Sequence, residues 1–502
     1  MSILVDLIER TISKYAGKPA LYCHPTNFSY ERIGDAINRF AQGLKNHQIR
    51  KGDRVIIFLP NLVQFPIAYF ATLKLGAVAV PINFLFSEIQ LNRLITLINP
   101  KAIIVWDRIY PGLPKAAFNP STKLIVLGEK PIVDTLSFTH LMAQSSPLEQ
   151  SVDIDSREIA VIFFTAGNSG QPKAVEISHN ALAANCLAFR NAFMLKSEET
   201  FVAALPLFLP INQVLILNSA FITGARILLH PAFEPKVLCQ QIEAEKGTIM
   251  VGNAALYHAF LNPEIKCGDI ASLKYCITYG EIFNRKIYEQ FEKKFGHKLY
   301  ESYGLCESTS LVTLNRTNGE HRPGSAGLAI DNVFIRIVDD AGNVLGENEI
   351  GEIRVQSPGL MTGYRGENTT ESHIIDGWLK TGDIGKIDES GYLYVLERKQ
   401  NVILKSGFMV FPREIESLLM MHPKVNEVAV IGVPDSVQGE EVKACVVLKP
   451  NETATAADLI EFCRSHLENY KCPQIIQFYQ VLPKSPTGRI LKYRLKEANS
   501  FL

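Results

Sequence analysis

The run Thr165, Ala166, Gly167, Asn168, Ser169, Gly170, Gln171, Pro172, Lys173 is the part of this chain best suited to hold a polyphosphate. Glycines and small residues let backbone N–H groups approach phosphate oxygens, short polar side chains add donors, and a lysine offsets the charge. The run directly follows the apolar segment 160–164, so a strand delivers it. Its Gly-x-x-Gly-x-x-Lys spacing is not that of a Walker loop, and a glycine-rich turn after a strand is by itself more often only a turn. Cys306, in the run Tyr303-Gly304-Leu305-Cys306-Glu307, invites a nucleophile reading. With no histidine nearby in sequence to lower its pKa, it reads instead as a threonine-sized space filler.

The elements needed to position such groups are visible as an alternation of periods. Ile33, Ala36, Ile37, Phe40 and Leu44 repeat at helical spacing, and 53–59 is a short apolar run suited to a buried strand. The segments 74–80, 101–106, 160–164 and 226–229 continue the pattern, which predicts α/β layers with largely parallel sheets. Beyond about residue 320 the strands shorten and glycines multiply: 351–355, a turn at Pro358 and Gly359, then 391–396. A smaller β-rich subdomain is expected there. The last hundred or so residues carry strands at 427–431 and 442–448 and a helix at 456–470, opened by a Thr455/Asp458 capping box. The fold class is therefore α/β, with a large layered N-terminal domain and a small C-terminal α+β domain. The polar run 397–401 marks the boundary.

Composition narrows the function classes. The chain has 502 residues, 47% hydrophobic and 20% charged, with 51 Lys plus Arg against 51 Asp plus Glu. That is a globular composition too long for one core, and a net charge of zero gives no field favouring nucleic acid. The nine cysteines include no C-x-x-C pair and no zinc-like spacing, so reduced, mostly buried thiols and a cytoplasmic location are expected. Residues 1–10 lack the pattern of a secretory signal. The apolar stretches 58–86 and 214–229 are interrupted by Asn61, Gln64, Lys74, Asn218 and Arg226 before the roughly 18–20 residues a bilayer span needs. No integral membrane segment is expected.

Extended to TAGNSGQPKAV, the glycine-rich run is similar to T-S-G-T-T-G-x-P-K-G, the signature of the adenylate-forming superfamily of acyl-CoA synthetases, luciferases and peptide-synthetase adenylation domains. Tyr303 to Glu307 looks like that family's Y-G-x-T-E, and 378–383 (WLKTGD) like its T-G-D. Residues 398–416 resemble its hinge motif and 482–489 (LPKSPTGR) its terminal P-K-T-x-x-G-K. Matches at 73–81, Gly351-Glu352, Pro434-Asp435, Gly439-Glu440 and 470–473 support these, so the resemblance covers nearly the whole chain.

The resemblance implies an acid–CoA ligase that first makes an acyl-AMP from ATP, with Mg2+, and then hands the acyl group to coenzyme A. It implies a domain at 1–397 for ATP and acid, a hinge at 398–401 with Asn401 as hinge residue, and a mobile domain at 402–502. The implied catalytic residues are Lys173, Glu307 and Arg489, with Glu307 also the metal ligand. ATP-binding residues would be Thr165, Gly167, Asn168, Ser169, Gly170, Lys173, Gly280, Glu281, Tyr303, Gly304, Cys306, Asp383 and Arg398. Asp383 and Arg398 would reach the ribose. Lys405, Ser406 and Gly407 would line the pantetheine tunnel, and Leu209, Asn212, Asn253 and Tyr279 the acyl pocket. Because the pocket segments are largely apolar, without lysine or arginine, a fatty or aryl monocarboxylic acid is expected.

The chain departs from the family pattern at Ala166 and Asn168 in the loop, at Leu209, at Cys306, at Asn401 and at Arg489, where the family has its catalytic lysine. Arginine keeps the charge but spreads it over a larger planar fork. Lys484 and Lys492 lie nearby as possible substitutes. Two other readings follow: a homologue that binds nucleotide or acyl groups without full ligation, and an acyl-AMP ligase that passes the acyl group to a carrier protein.

Overall fold

Helices covering both faces of parallel sheets explain why the strands read as continuous apolar runs rather than alternating ones. In the computed structural model the described residues are 3–84, 86–114, 118–129, 132–148, 150–165, 172–231, 234–262, 270–280, 285–316, 320–366, 373–484 and 490–497. The chain forms two compact units: Met1–Thr165 with Pro172–Ile335 and Val355–Leu379, and, among the described residues, Arg336–Arg354 with the chain from Lys380 onward.

The first unit holds two large sheets. One runs Leu136–Ser137, Lys123–Leu127, Ala102–Trp106, Arg54–Phe58, Val78–Pro81, Ile159–Phe164, Ala174–Ser178, Gly363–Tyr364. All neighbours are parallel as far as Ile159–Phe164, and the last two strands join antiparallel. In the other sheet Arg226–Leu229, Thr200–Ala203, Ile249–Gly252, Tyr275–Thr278 and Leu299–Tyr303 form the parallel centre. The expected helix at 33–44 is Tyr30–Asn46, capped by Ser29, whose hydroxyl accepts from Arg32 N. Helix Gln64–Lys74 is buried from Phe65 onward. Lys74 ends that helix with its ammonium buried and paired with Glu9 at 2.7 Å. Among the described residues no helix is long and apolar enough to cross a membrane.

Two buried histidines in this unit sit among apolar groups. His179 opens helix His179–Ala192, and among the described residues neither ring nitrogen has a hydrogen-bond partner; His230 Nε2 has none among them either. Burial lowers each pKa from 6.5 to about 4, with the Glu158 and Lys51 charges pulling His179 in opposite directions. The folded state therefore binds fewer protons than the unfolded one between those values. Stability from this source is full above pH 6.5 and is lost as pH falls toward 4, by up to about 3 kcal/mol per histidine. Urea titrations across that window should show the unfolding midpoint dropping, with a shallower pH slope in a His179→Gln variant. An unchanged slope would remove His179 from the account.

In the second unit, strand Trp378–Ile387 pairs antiparallel with Leu393–Arg398, and the register places Asp383 opposite Arg398. The C-terminal sheet consists of Phe408–Val410, Ile403–Lys405, Gly439–Leu448, Val425–Asp435 and Ile475–Phe478. The capping box forms as expected between Thr455 and Asp458. Its helix, however, is Ala456–Arg464, shorter than the periodicity suggests. The chain turns after Ser465 so that the Tyr470 ring meets Phe408 at 5.0 Å and Cys472 enters the core. Among the described residues seven cysteines are free thiols and Cys239 is disulfide-bonded, a departure from the expectation of reduced thiols.

Candidate active site

The glycine-rich run connects the antiparallel strands Ile159–Phe164 and Ala174–Ser178, and hydrogen bonds close its neck. Thr165 N donates to Lys173 O at 3.0 Å, and Lys173 N donates back to Thr165 Oγ1 at 3.1 Å. Gly167, Asn168, Ser169 and Gly170 lie outside the described residues, as do Glu281 and Arg489.

Lys173 places its ammonium 4.5 Å from the centre of the Tyr364 ring, a cation–π contact. The Tyr364 hydroxyl donates to Glu307 Oε1 at 2.7 Å. Met361 N donates to Glu307 O at 2.8 Å. Tyr364 thus ties the lysine at the end of the loop to the acidic residue of the Tyr-Gly-x-x-Glu run. Sequence reading missed it: it stands 57 positions from Glu307, in a two-residue strand, Gly363–Tyr364, that no periodicity marks.

The turn carrying Glu307 is rigid for identifiable reasons. A Cβ on Gly304 would lie 2.2 Å from Ser310 O, so the strand end Tyr303-Gly304 tolerates no side chain there. Thr309 and Ser310 both hold positive φ, at 54° and 74°. Ser308 Oγ accepts from Leu305 N at 3.0 Å, and Asn185 Nδ2 donates to Ser308 O and Leu311 O at 3.3 and 3.0 Å. Cys306 is half-buried, with its thiol 3.9 Å from Phe164 O, at the end of the strand that leads into the loop. Gly280 follows strand Tyr275–Thr278 with φ 84° and open space around it.

Of the residues assigned to the acyl pocket, Asn212 is fully buried and donates to Pro206 O at 3.3 Å, while its Oδ1 has no partner. Asn253 caps helix Ala254–Leu261, accepting from Leu256 N at 3.0 Å. Leu209 and Tyr279 are half-buried, and Tyr279 N donates to Gly252 O at 3.2 Å. Asn61, not singled out from the sequence, donates to Ala203 O and Leu205 O and accepts from Leu207 N, fixing the Pro206-Leu207 segment.

The second unit brings the remaining candidates into two clusters. Arg398 Nε meets Asp383 Oδ1 at 2.8 Å, and Arg398 Nη1 donates to Thr381 O at 3.2 Å. Asp383 N donates to Thr381 Oγ1 at 3.0 Å, and that hydroxyl donates to Ile353 O at 2.7 Å. The two ribose candidates are thus cross-strand partners.

One turn further, Glu397, 1% exposed, accepts from Asn401 Nδ2 at 3.2 Å and lies 3.7 Å from Arg413 and 3.8 Å from Lys492. Lys492 also pairs with Glu416 at 2.8 Å, and Lys484 with Glu427 at 2.5 Å. Both lysines suggested as stand-ins for position 489 are held by carboxylates. Ser406 and Gly407, with φ 51° and 83°, form the exposed tip of a two-residue hairpin. Lys405 is instead buried against Glu441 at 2.5 Å.

Residues 8–365 match the family described as AMP-binding enzyme, and 414–489 match the AMP-binding enzyme C-terminal domain. The chain belongs to the AMP-binding enzyme family. It is 30% identical to a long-chain-fatty-acid–CoA ligase of Yersinia pestis, over 99% of this chain and 94% of that one. Among solved structures, the anthranilate CoA ligase AuaEII in complex with anthranoyl-AMP superposes with a TM-score of 0.93 at 25% identity, covering 100% and 98% of the two chains. ATP-bound MatB from Rhodopseudomonas palustris gives 0.91 at 28% identity and 98% coverage of both. The layered α/β architecture with a smaller C-terminal domain is that of this AMP-binding family.

Among the described residues of this AMP-binding enzyme, no three His, Cys, Asp or Glu side chains gather to hold a metal ion. That donor set fits magnesium held by one or two carboxylates together with substrate phosphates and water, rather than by an all-protein cage. Glu307 offers such a carboxylate, half-buried, with Oε1 oriented by Tyr364.

Proposed function

We propose that the chain is an ATP-dependent acid–CoA ligase acting in the cytoplasm on a fatty or aryl monocarboxylic acid. A carboxylate oxygen of the acid attacks the α-phosphorus of ATP, the bond to the β-phosphate oxygen breaks, and pyrophosphate leaves. The thiolate of coenzyme A then attacks the acyl carbon and AMP leaves. The observation that carries this reading is the linked trio Lys173, Tyr364 and Glu307 at the end of the glycine-rich loop.

Glu307, with the triphosphate, would hold magnesium, which would supply charge neutralisation as negative groups converge. Lys173 balances phosphate charge, and Tyr364 keeps both side chains aimed. Thr165, Gly167, Asn168, Ser169 and Gly170 surround the phosphates; Gly280, Glu281, Tyr303, Gly304 and Cys306 line the nucleotide. Asp383 and Arg398 hold the ribose, and Arg489 supplies the cation of the terminal motif. In this reading 1–397 binds ATP and acid, with Leu209, Asn212, Asn253 and Tyr279 around the acyl chain. The hinge at 398–401, with Asn401, lets 402–502 turn between half-reactions, bringing Lys405, Ser406 and Gly407 to the thiol's path. The names of the similar proteins, a long-chain-fatty-acid–CoA ligase and an anthranilate CoA ligase, support both acid classes.

The test is acid-dependent pyrophosphate release with ATP, Mg2+ and a panel of fatty and aryl acids, followed by detection of the CoA thioester. Acyl-AMP that is consumed only when a phosphopantetheinylated carrier protein is added would select the carrier acceptor. ATP binding with neither acyl-AMP nor thioester from any acid would sink the ligase reading and leave a non-ligating homologue. Arg489→Lys is expected to raise pyrophosphate release, because an ammonium restores a point charge at the family's position. No gain would move the limiting step to the altered loop.

A further inference from the structure

The eight-stranded sheet carries a second charged site at the end opposite the glycine-rich loop. Lys51, Gly52, Arg54, Gly76, Val78, Glu158 and Ile159 cluster at the N-terminal ends of its central strands. With Ile162, Glu176 and Arg365 they enclose a cavity of about 340 Å³. This is within the size range of small-molecule sites.

Its charges do not balance locally. Lys51 is matched by Glu158 at 2.7 Å and also donates to Asp153 O at 2.7 Å. Arg365 Nη1 meets Glu176 Oε1 at 3.0 Å. Arg54 has only neutral acceptors: it donates to Ile98 O, Asn99 O and Gly52 O at 3.0, 2.6 and 3.3 Å. Arg365 Nε is buried and has no partner among the described residues. Three cations thus face two carboxylates, each already taken, and the buried Arg365 Nε has no partner among the described residues. Burial, and after it the charge of Arg365, holds the Arg54 guanidinium below its ordinary pKa against the smaller opposing charges of Asp53 and Glu176, so the two arginines lie within repulsive reach. A fork of guanidinium donors with surplus charge matches the bidentate geometry of an oxyanion.

We propose that this cavity binds a small phosphate-class oxyanion, inorganic phosphate or pyrophosphate, between the guanidiniums of Arg54 and Arg365. The anion supplies the missing negative charge and accepts from Arg365 Nε. Glu158 and Glu176 oppose it only in part, because Lys51 and Arg365 offset their charges, and Glu176 competes with the anion for Arg365. Arg365 directly follows Tyr364, whose hydroxyl holds Glu307, so occupancy acts one residue from the candidate active site. The proposal stands independently of the ligase reading, since it concerns binding alone.

The experiment uses the full chain. Crystals soaked in selenate, a phosphate-like oxyanion, are expected to show an anomalous peak between Arg54 and Arg365. In solution, calorimetry with phosphate and with pyrophosphate distinguishes which anion the cavity prefers. Arg365→Gln should weaken binding at least about tenfold, a loss of about 1.4 kcal/mol, and Glu176→Gln should tighten it. Lys173→Ala should leave this binding in place while removing any at the glycine-rich loop. If Arg365→Gln fails to fold, the direction of the Glu176→Gln change decides. The proposal is overturned by no saturable binding to the native chain, by a selenate peak only near Thr165 and Lys173, or by a Glu176→Gln protein that binds no more tightly than the native one.

Discussion

Glu307→Gln is expected to lower acid-dependent pyrophosphate release by about a thousandfold while leaving the protein folded. Glutamine keeps the shape and still accepts from the Tyr364 hydroxyl, so the turn held by Ser308 and Asn185 is undisturbed. What it removes is the negative charge that a metal–triphosphate complex needs at this point. The loss should therefore fall on the adenylation step, and raising the magnesium concentration should recover part of it. Tyr364→Phe provides the graded control. It keeps the ring under the Lys173 ammonium and deletes the 2.7 Å hydrogen bond to Glu307, so a decrease of about tenfold is expected. A Glu307→Gln protein with near-native pyrophosphate release, or one whose defect ignores magnesium, would take Glu307 out of the metal role.

The groups this prediction concerns were only partly legible in the sequence. Glu307 and Lys173 are readable because each belongs to a short run that resembles a family motif; the spacing of either run alone would not single them out. Tyr364 is not, because its role depends on where Gly363–Tyr364 pairs at the edge of the sheet, and that pairing is long-range. The alternation of periods gave the layered α/β order, since buried parallel strands and their helices impose it all along the chain. It misjudged the helix at 456–470, whose second half is drawn into turns by the packing of Tyr470 and Cys472. The apolar stretch containing Lys74 forms a buried helix as expected, but the pairing with Glu9 that lets the lysine be buried could not be read. Pairing partners far apart in sequence are invisible to composition and period alike. The same holds for the carboxylates that occupy Lys484 and Lys492.

Asp383 and Arg398 were each legible as a residue type in a motif, but their mutual pairing was not. It depends on a strand register with an irregularity between Ile384 and Gly385. That pairing makes Asp383→Asn the second variant with a large expected effect, and gives the effect two parts. The carboxylate is 4% exposed and 2.8 Å from the guanidinium, so neutralising it strands a partly buried charge. A loss of about 2 kcal/mol in unfolding free energy is expected, at the low side for a broken buried pair because Arg398 retains some solvent. If the carboxylate also accepts from ribose hydroxyls, the KM for ATP should rise about thirtyfold, about 2 kcal/mol, the equivalent of one hydrogen bond to a charged acceptor.

Arg398→Ala and the double variant separate the parts. In a purely structural pair, Asp383→Asn made on top of Arg398→Ala would regain stability by removing the stranded buried carboxylate and would not change the KM for ATP further. A residual rise in KM without a further loss of stability would assign Asp383 a direct contact with the nucleotide, with Arg398 orienting the carboxylate that makes it.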